Sequence, residues 1–182
     1  MTKIIKGDLR LKEDTKFDES IIVEGDIKGR KYSLEVEGDI KANNIMVKDI
    51  YANNITATNI HADNITADDI NTRHFDKVTF IVANDIYARD INADNIRAND
   101  IFAHNISAYS VEANNIINTK SLNFINYIET KGKTRAQDIY GHSITAPDIE
   151  ANRLSVTELY QPSGSKLRAK KVKYDKKIEL YA

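Results

Sequence analysis

Between Gly38 and Ile116 the apolar residues keep a beat of five. Isoleucine recurs at Ile40, Ile45, Ile50, Ile55, Ile60, Ile65 and Ile70. After a longer step it returns at Ile81, Ile86, Ile91, Ile96, Ile101 and Ile106, with Val111 and Ile116 following. Two places after most of the early isoleucines stands a small residue, as at Ala42, Val47, Ala52, Ala57, Ala62 and Ala67, and Asp or Asn stands just before nearly every isoleucine. On an α-helix, residues five apart are turned by about 140°, so the isoleucines would spiral over every face. On a straight strand an odd spacing sends alternate isoleucines to opposite faces. The beat makes sense if each five-residue unit is a short side followed by a corner. Every isoleucine then points to a common axis, and the small residue two places on points the same way. Asn and Asp suit corners, where their side chains bond nearby backbone.

Four such sides would close a coil of about twenty residues, and coils would stack at the strand spacing of about 4.8 Å. The predicted core is Ile45, Ile50, Ile55, Ile60, Ile65, Ile86, Ile91, Ile96, Ile101 and Ile106 with the small residues beside them. About six coils would span about 29 Å. The beat runs on from Ile70 to Phe75, and the step of six from there into Ile81, and a second into Leu122 with Phe124 at the small position and Tyr127 five later, read as bulges that add one residue without loss of register.

On these residues the stretch 38–159 resembles the pentapeptide-repeat proteins. The resemblance implies an all-β fold, a right-handed quadrilateral β-helix. The family unit runs Ala, Asp or Asn, then Leu or Phe, with the large inward residue two places after the small one. Here Ile60-His61-Ala62 inverts that order and keeps the spacing. Some members of that family look like duplex DNA and inhibit DNA gyrase, which makes gyrase mimicry one expectation.

Outside the repeat, residues 1–37 lose the beat but carry GDLR at Gly7 and GDIK at Gly25 and Gly38. They are expected to form an irregular β cap. The GDI pieces resemble rungs of bactofilins, polymerising β-helix proteins, which makes a self-assembling filament subunit another expectation. Residues 38–160 are the β-helix, with a protruding loop at 128–135 (IETKGKTR). Residues 161–182 form a basic C-terminal cap, read as strands turning at Asp175-Lys176-Lys177, with a helix as the alternative phase. Caps at both ends imply a monomer or small homo-oligomer, because uncovered edges pair with other chains.

Composition narrows function more than it assigns it. The chain has 182 residues, 26 basic against 27 acidic. Residues 41–160 carry 11 basic against 15 acidic, and residues 161–182 carry 7 against 2. An acidic excess of four in the repeat is thin for a DNA mimic, and the near balance argues against a nucleic-acid partner. With no cysteine there is no thiolate chemistry. No run of apolar residues is long enough to span a membrane and the N-terminus lacks an apolar leader, so a cytoplasmic protein is expected. No cofactor is expected. His61 and His104, placed in adjacent columns two coils apart, are too distant for one metal; His74 and His142 fall elsewhere. Asp85, Asp90 and Asp100 read as corner residues and Asp94 as an outward one. Nothing resembles a nucleophile with its base or a phosphate loop, so the protein reads as a non-catalytic scaffold or interaction module with an unknown protein partner. The candidate contact patch is Tyr87, Arg89 and Tyr109, with Arg89 and Tyr109 expected in one column, since Tyr and Arg are favoured at interfaces.

Overall fold

The computed structural model describes residues 1–72, 79–162 and 164–180. Among them there is no helix, and the chain winds as a parallel β-solenoid of about ten turns. Its early strands are short: β1 Thr2–Ile5, β2 Leu9–Arg10, β3 Thr15–Phe17, β4 Ser20–Val23, β5 Ile27–Gly29, β6 Leu34–Val36, β7 Ile40–Lys41 and β8 Asn44–Val47. Then come β9 Asp49–Thr56, β10 Asn59–His61, β11 Asn64–Asn71 and β12 Phe80–Val82. From there the backbone stays extended through the corners, as β13 Asp85–Thr130, β14 Lys133–Thr145, β15 Asp148–Pro162 and β16 Lys166–Leu180. Every strand pairing is parallel, as winding in one sense requires.

The coil is shorter than the sequence reading anticipated. Ile45 pairs with Ile60, Ile50 with Ile65 and Ile55 with Ile70, each fifteen residues on. Three five-residue sides make one turn, not four. About ten turns at about 4.8 Å give a length of about 48 Å for the whole solenoid, against the about 29 Å expected for residues 38–160 with caps outside it. The beat of five is equally compatible with either number of sides. What misled was the longer step: Ile60 pairs with Ile81 and Ile65 with Ile86, twenty-one residues on. Twenty-one is a twenty-residue coil plus one, or a fifteen-residue coil plus six, and the register shows the second. The predicted one-residue bulge is therefore a six-residue insertion between Asn71 and Phe80. His74 and Phe75 lie outside the described residues. Register shifts between Ile116 and Thr119 and between Asn123 and Tyr127 do mark irregularities at the second slip. There Ile128 is the buried residue and Tyr127 is half-buried, so the large inward position falls one residue later than anticipated.

The three sides can be named by one turn, the Ile60, Ile65 and Ile70 sides. All ten predicted core isoleucines are buried, none more than 2% exposed. Burial of each contributes about 1.5–3 kcal/mol. Corners differ from expectation in detail. Their Asn and Asp side chains bond mainly to the equivalent corner one coil away. Asn59 Nδ2 donates to Asn44 Oδ1 at 2.8 Å, Asn64 to Asp49 at 2.8 Å and Asn115 to Asp100 at 2.7 Å. Many of the polar residues before the isoleucines thus belong to ladders parallel to the core, each rung worth about 0.5–1.5 kcal/mol net.

The segments expected as caps are further turns of the solenoid. Thr2 pairs with Ser20, Leu9 with Ile27 and Thr15 with Leu34. These first coils use eighteen or nineteen residues, which is why the beat of five is lost while the winding persists. The extra residues are spread over several corners, one of them at each GD corner. Asp8 accepts from the Asp26 amide at 3.0 Å and pairs with Lys28 at 2.8 Å. The Lys28 ammonium holds the carboxyls of Asp8 and Asp26 below the usual carboxylate range. At the other end β16 lies parallel on β15 over its whole length, Asp148↔Lys166 to Pro162↔Leu180. It is a strand without the predicted reversal at Asp175-Lys176-Lys177. The predicted loop at 128–135 shrinks to a turn at Lys131-Gly132. Thr134 then takes an isoleucine's inward position, and its hydroxyl meets that of Thr130 at 2.9 Å.

One core position inverts the size pattern. Phe124 occupies a small-residue position on the Ile70 side and is 4% exposed. One coil on, the equivalent residue is Gly141, since Asn123 pairs with Tyr140. A Cβ at Gly141 would meet three atoms of the Phe124 ring, the farthest at 2.5 Å. The glycine is there for space, and the pair shares the volume of two ordinary small residues.

Candidate interaction surface

Each side presents two outward rows, one from the residue after the isoleucine and one from the residue two places further on. Between them the alanine points inward, so a furrow floored by backbone runs along the solenoid axis. The rows are separated by two residues, about 6.6 Å.

On the Ile65 side the first row runs through Tyr51, Thr66 and Tyr87. Tyr87 stacks on Phe102 with ring centroids 4.8 Å apart and planes 1° from parallel. Further along the same row come Arg135, Glu150 and Arg168. Arg135 Nη2 lies 2.9 Å from Glu150. The second row holds Arg89 and, further along, His104, Lys120, Gln137, Asn152 and Lys170. Arg89 Nη2 reaches both carboxylate oxygens of Asp69 at 3.0 Å, which raises the guanidinium's already high pKa.

The furrow opens into a groove of about 920 Å³ over the C-terminal half of this side, bordered by His104, Lys120, Arg135, Glu150, Arg168 and Lys170 among others. Its floor includes Ala136, Ala151 and Ala169. Thr119 also borders it, with a buried hydroxyl that has no partner among the described residues. Lys120, Arg168 and Lys170 make no ion pair among the described residues. Three free cations on one strip are worth more to an anionic partner than paired ones, because no existing contact has to be given up.

The fifteen-residue coil redistributes the candidate patch. Tyr87 and Arg89 share the Ile65 side, as expected. Tyr109, 46% exposed, belongs to the neighbouring Ile70 side, three places after the buried Ile106. The expected Arg89–Tyr109 column therefore does not form; the row from Arg89 continues to His104. His61 pairs in register with Met46 and Val82 on the Ile60 side, so His61 and His104 face different directions. His142 is on the Ile70 side, two residues after Tyr140. No group of three or more His, Cys, Asp or Glu among the described residues is placed to hold a metal ion. Asp90 and Asp100 are corner acceptors for Asn105 and Asn115, and Asp94 accepts from the Thr79 amide at 3.0 Å.

Sequence reasoning singled out Tyr87 and Arg89 but did not place Phe102, Lys120, Arg135, Arg168 and Lys170 on the same side. The signal was present as exposed aromatic and basic residues at equivalent places in successive repeats. Stacking them required the number of sides. Among the described residues no helix is long and apolar enough to cross a membrane. No known protein family, curated protein or solved structure matches this chain.

Proposed function

We propose that this protein is a non-catalytic scaffold whose Ile65 side is a protein-interaction surface, working in the cytoplasm without a cofactor. The observation that carries this reading is the concentration on one side of the stacked Tyr87–Phe102 pair and of Lys120, Arg168 and Lys170, cations without an ion-pair partner among the described residues. Aromatic and arginine side chains on a rigid frame lose little entropy when a partner docks. A continuous parallel sheet supplies such a frame. The gyrase-mimic reading has no comparable support, because residues 41–160 carry an acidic excess of only four, and Asp69, Asp138 and Glu150 face arginines. The test is affinity capture with the wild-type chain, the double variant Tyr87→Ala/Arg89→Ala and the single variant Tyr109→Ala. A partner retained by Tyr109→Ala and lost by the double variant is the expected result. Loss with Tyr109→Ala alone would move the surface to the Ile70 side, and no captured partner would overturn the reading.

A second reading, a subunit of an end-to-end assembly, is favoured by the strand edges at the two ends. Among the described residues, strands β1, β2 and β3 each pair on one edge only, and β16 pairs only with β15. At the C-terminal end the inward-facing Val172 and Tyr174 are each 41% exposed. Against it stand Lys3, an inward position filled by a charge whose Nζ sits 5.0 Å from the centroid of the Phe17 ring, and the run of lysines along β16. Charged residues of this kind blunt edges against pairing. Sedimentation velocity over a hundredfold concentration range should show one species of monomer or small-oligomer size; a growing series of larger species would support assembly instead.

A further inference from the structure

The groove on the Ile65 side has a shape and a charge pattern that select among partners. We infer that it docks an extended, acidic segment of another protein, lying along the solenoid axis between the two outward rows. This rests on the interaction-module reading above and adds the chemistry of the partner.

Length comes first. From the coil of His104 to that of Arg168 and Lys170 the groove crosses four coil spacings, about 19 Å at about 4.8 Å each. An extended chain at about 3.3 Å per residue fills it with about six residues. Width comes second. Rows about 6.6 Å apart over a floor of backbone and alanine admit a single extended chain and exclude a nucleic-acid duplex or a helix about 10 Å across.

Charge comes third. Lys120 lies at one end of the basic stretch and Arg168 with Lys170 at the other, all three without an ion-pair partner among the described residues. Between them Glu150 interrupts the positive strip and holds Arg135 at 2.9 Å. A uniform run of phosphates would meet Glu150 with repulsion at its centre. A peptide can place carboxylates at its two ends and an uncharged residue in the middle. The middle of the second row is Gln137 and Asn152, whose side-chain amides both donate and accept, as a peptide backbone requires. Beyond the Lys120 end the same side carries Phe102 and Tyr87, which would receive an apolar residue of the partner.

The experiment uses the full chain and three fluorescein-labelled probes of matched length. These are a ten-residue peptide with an apolar residue followed by acidic, neutral and acidic blocks, its Asn/Gln counterpart, and single-stranded oligo-dT. Fluorescence anisotropy at two ionic strengths reads binding to the wild type, to Lys120→Glu/Lys170→Glu and to Arg97→Glu, whose site is on the Ile60 side. Circular dichroism checks that all three chains are folded. Saturable binding of the acidic peptide, weakened about tenfold or more by the double reversal and by higher salt but unchanged by Arg97→Glu, is expected. No saturable binding, equal binding to the double variant, equal binding of the neutral peptide, or tighter binding of oligo-dT would each overturn the inference. The double variant is also run in the affinity capture. A partner it retains leaves the interaction module standing and removes the groove as its site.

Discussion

Ile96→Asp should abolish the folded state or cost more than about 4 kcal/mol, whereas its neighbour Arg97→Asp should stay within about 1 kcal/mol of wild type. Ile96 is 2% exposed, in the column of Ile60 and Ile81. An aspartate there is an unpaired charge on the solenoid axis between the buried Ile81 one coil before and Val111 one coil after. The substitution lies in the middle of the stack, and a solenoid is stabilised by contacts between neighbouring coils. Loss of that coil separates the two halves, so the damage should not remain local. Arg97 points outward with its side chain 78% exposed, and its ion pair with Glu112 is at 3.8 Å. Such surface pairs contribute little. Thermal melts by circular dichroism decide the matter: two variants with equal midpoints would remove the inside–outside assignment on which the fold rests.

The second large effect is expected at Gly141. Gly141→Ala should destabilise by about 1–3 kcal/mol, although alanine is ordinarily the better residue in a strand. The added methyl group has nowhere to go, since the Phe124 ring fills the space. Phe124→Ala alone should cost about 3–5 kcal/mol through the cavity it opens. In the double variant the methyl group enters that cavity, so Gly141→Ala should become neutral or stabilising on the Phe124→Ala background. Chemical denaturation of the four chains gives the coupling free energy. Strict additivity of the two single effects would show that the glycine is there for some reason other than the ring.

These two sites illustrate how much was legible in the sequence. The side chain at Ile96 could be placed inside without any structure, because a beat of five with Asp or Asn before each isoleucine fits no helix or straight strand. Phe124 could be seen at a small position, but the residue that accommodates it is seventeen places away, at Gly141. Finding it needs the length of that particular coil. The same limit governs the surface. Tyr87 and Arg89 were recognisable as exposed, yet their continuation to Phe102, Lys120 and Arg135 depends on counting three sides per turn. A periodicity of five specifies which residues face inward and leaves open how many units close the circle. The closing number is set by corner geometry and by how isoleucine and alanine fill the cross-section, which no single repeat contains. The N-terminal turns were missed for the opposite reason. Their winding is intact, but coils of eighteen or nineteen residues hide it from any search for a constant step.

A side of five residues and a turn of fifteen have a consequence for how such a chain can change over generations. Deleting or duplicating five residues keeps every interior residue interior, since the inward pattern repeats at that step. It also carries everything downstream around the axis by a third of a turn. Tyr87 and Arg135 would then face different directions, and a surface assembled from several turns would be dispersed while the core stayed sound. Gains or losses of fifteen residues do neither; they lengthen or shorten the strip in place. Selection on stability alone would accept both kinds of change, and selection on the strip only the second.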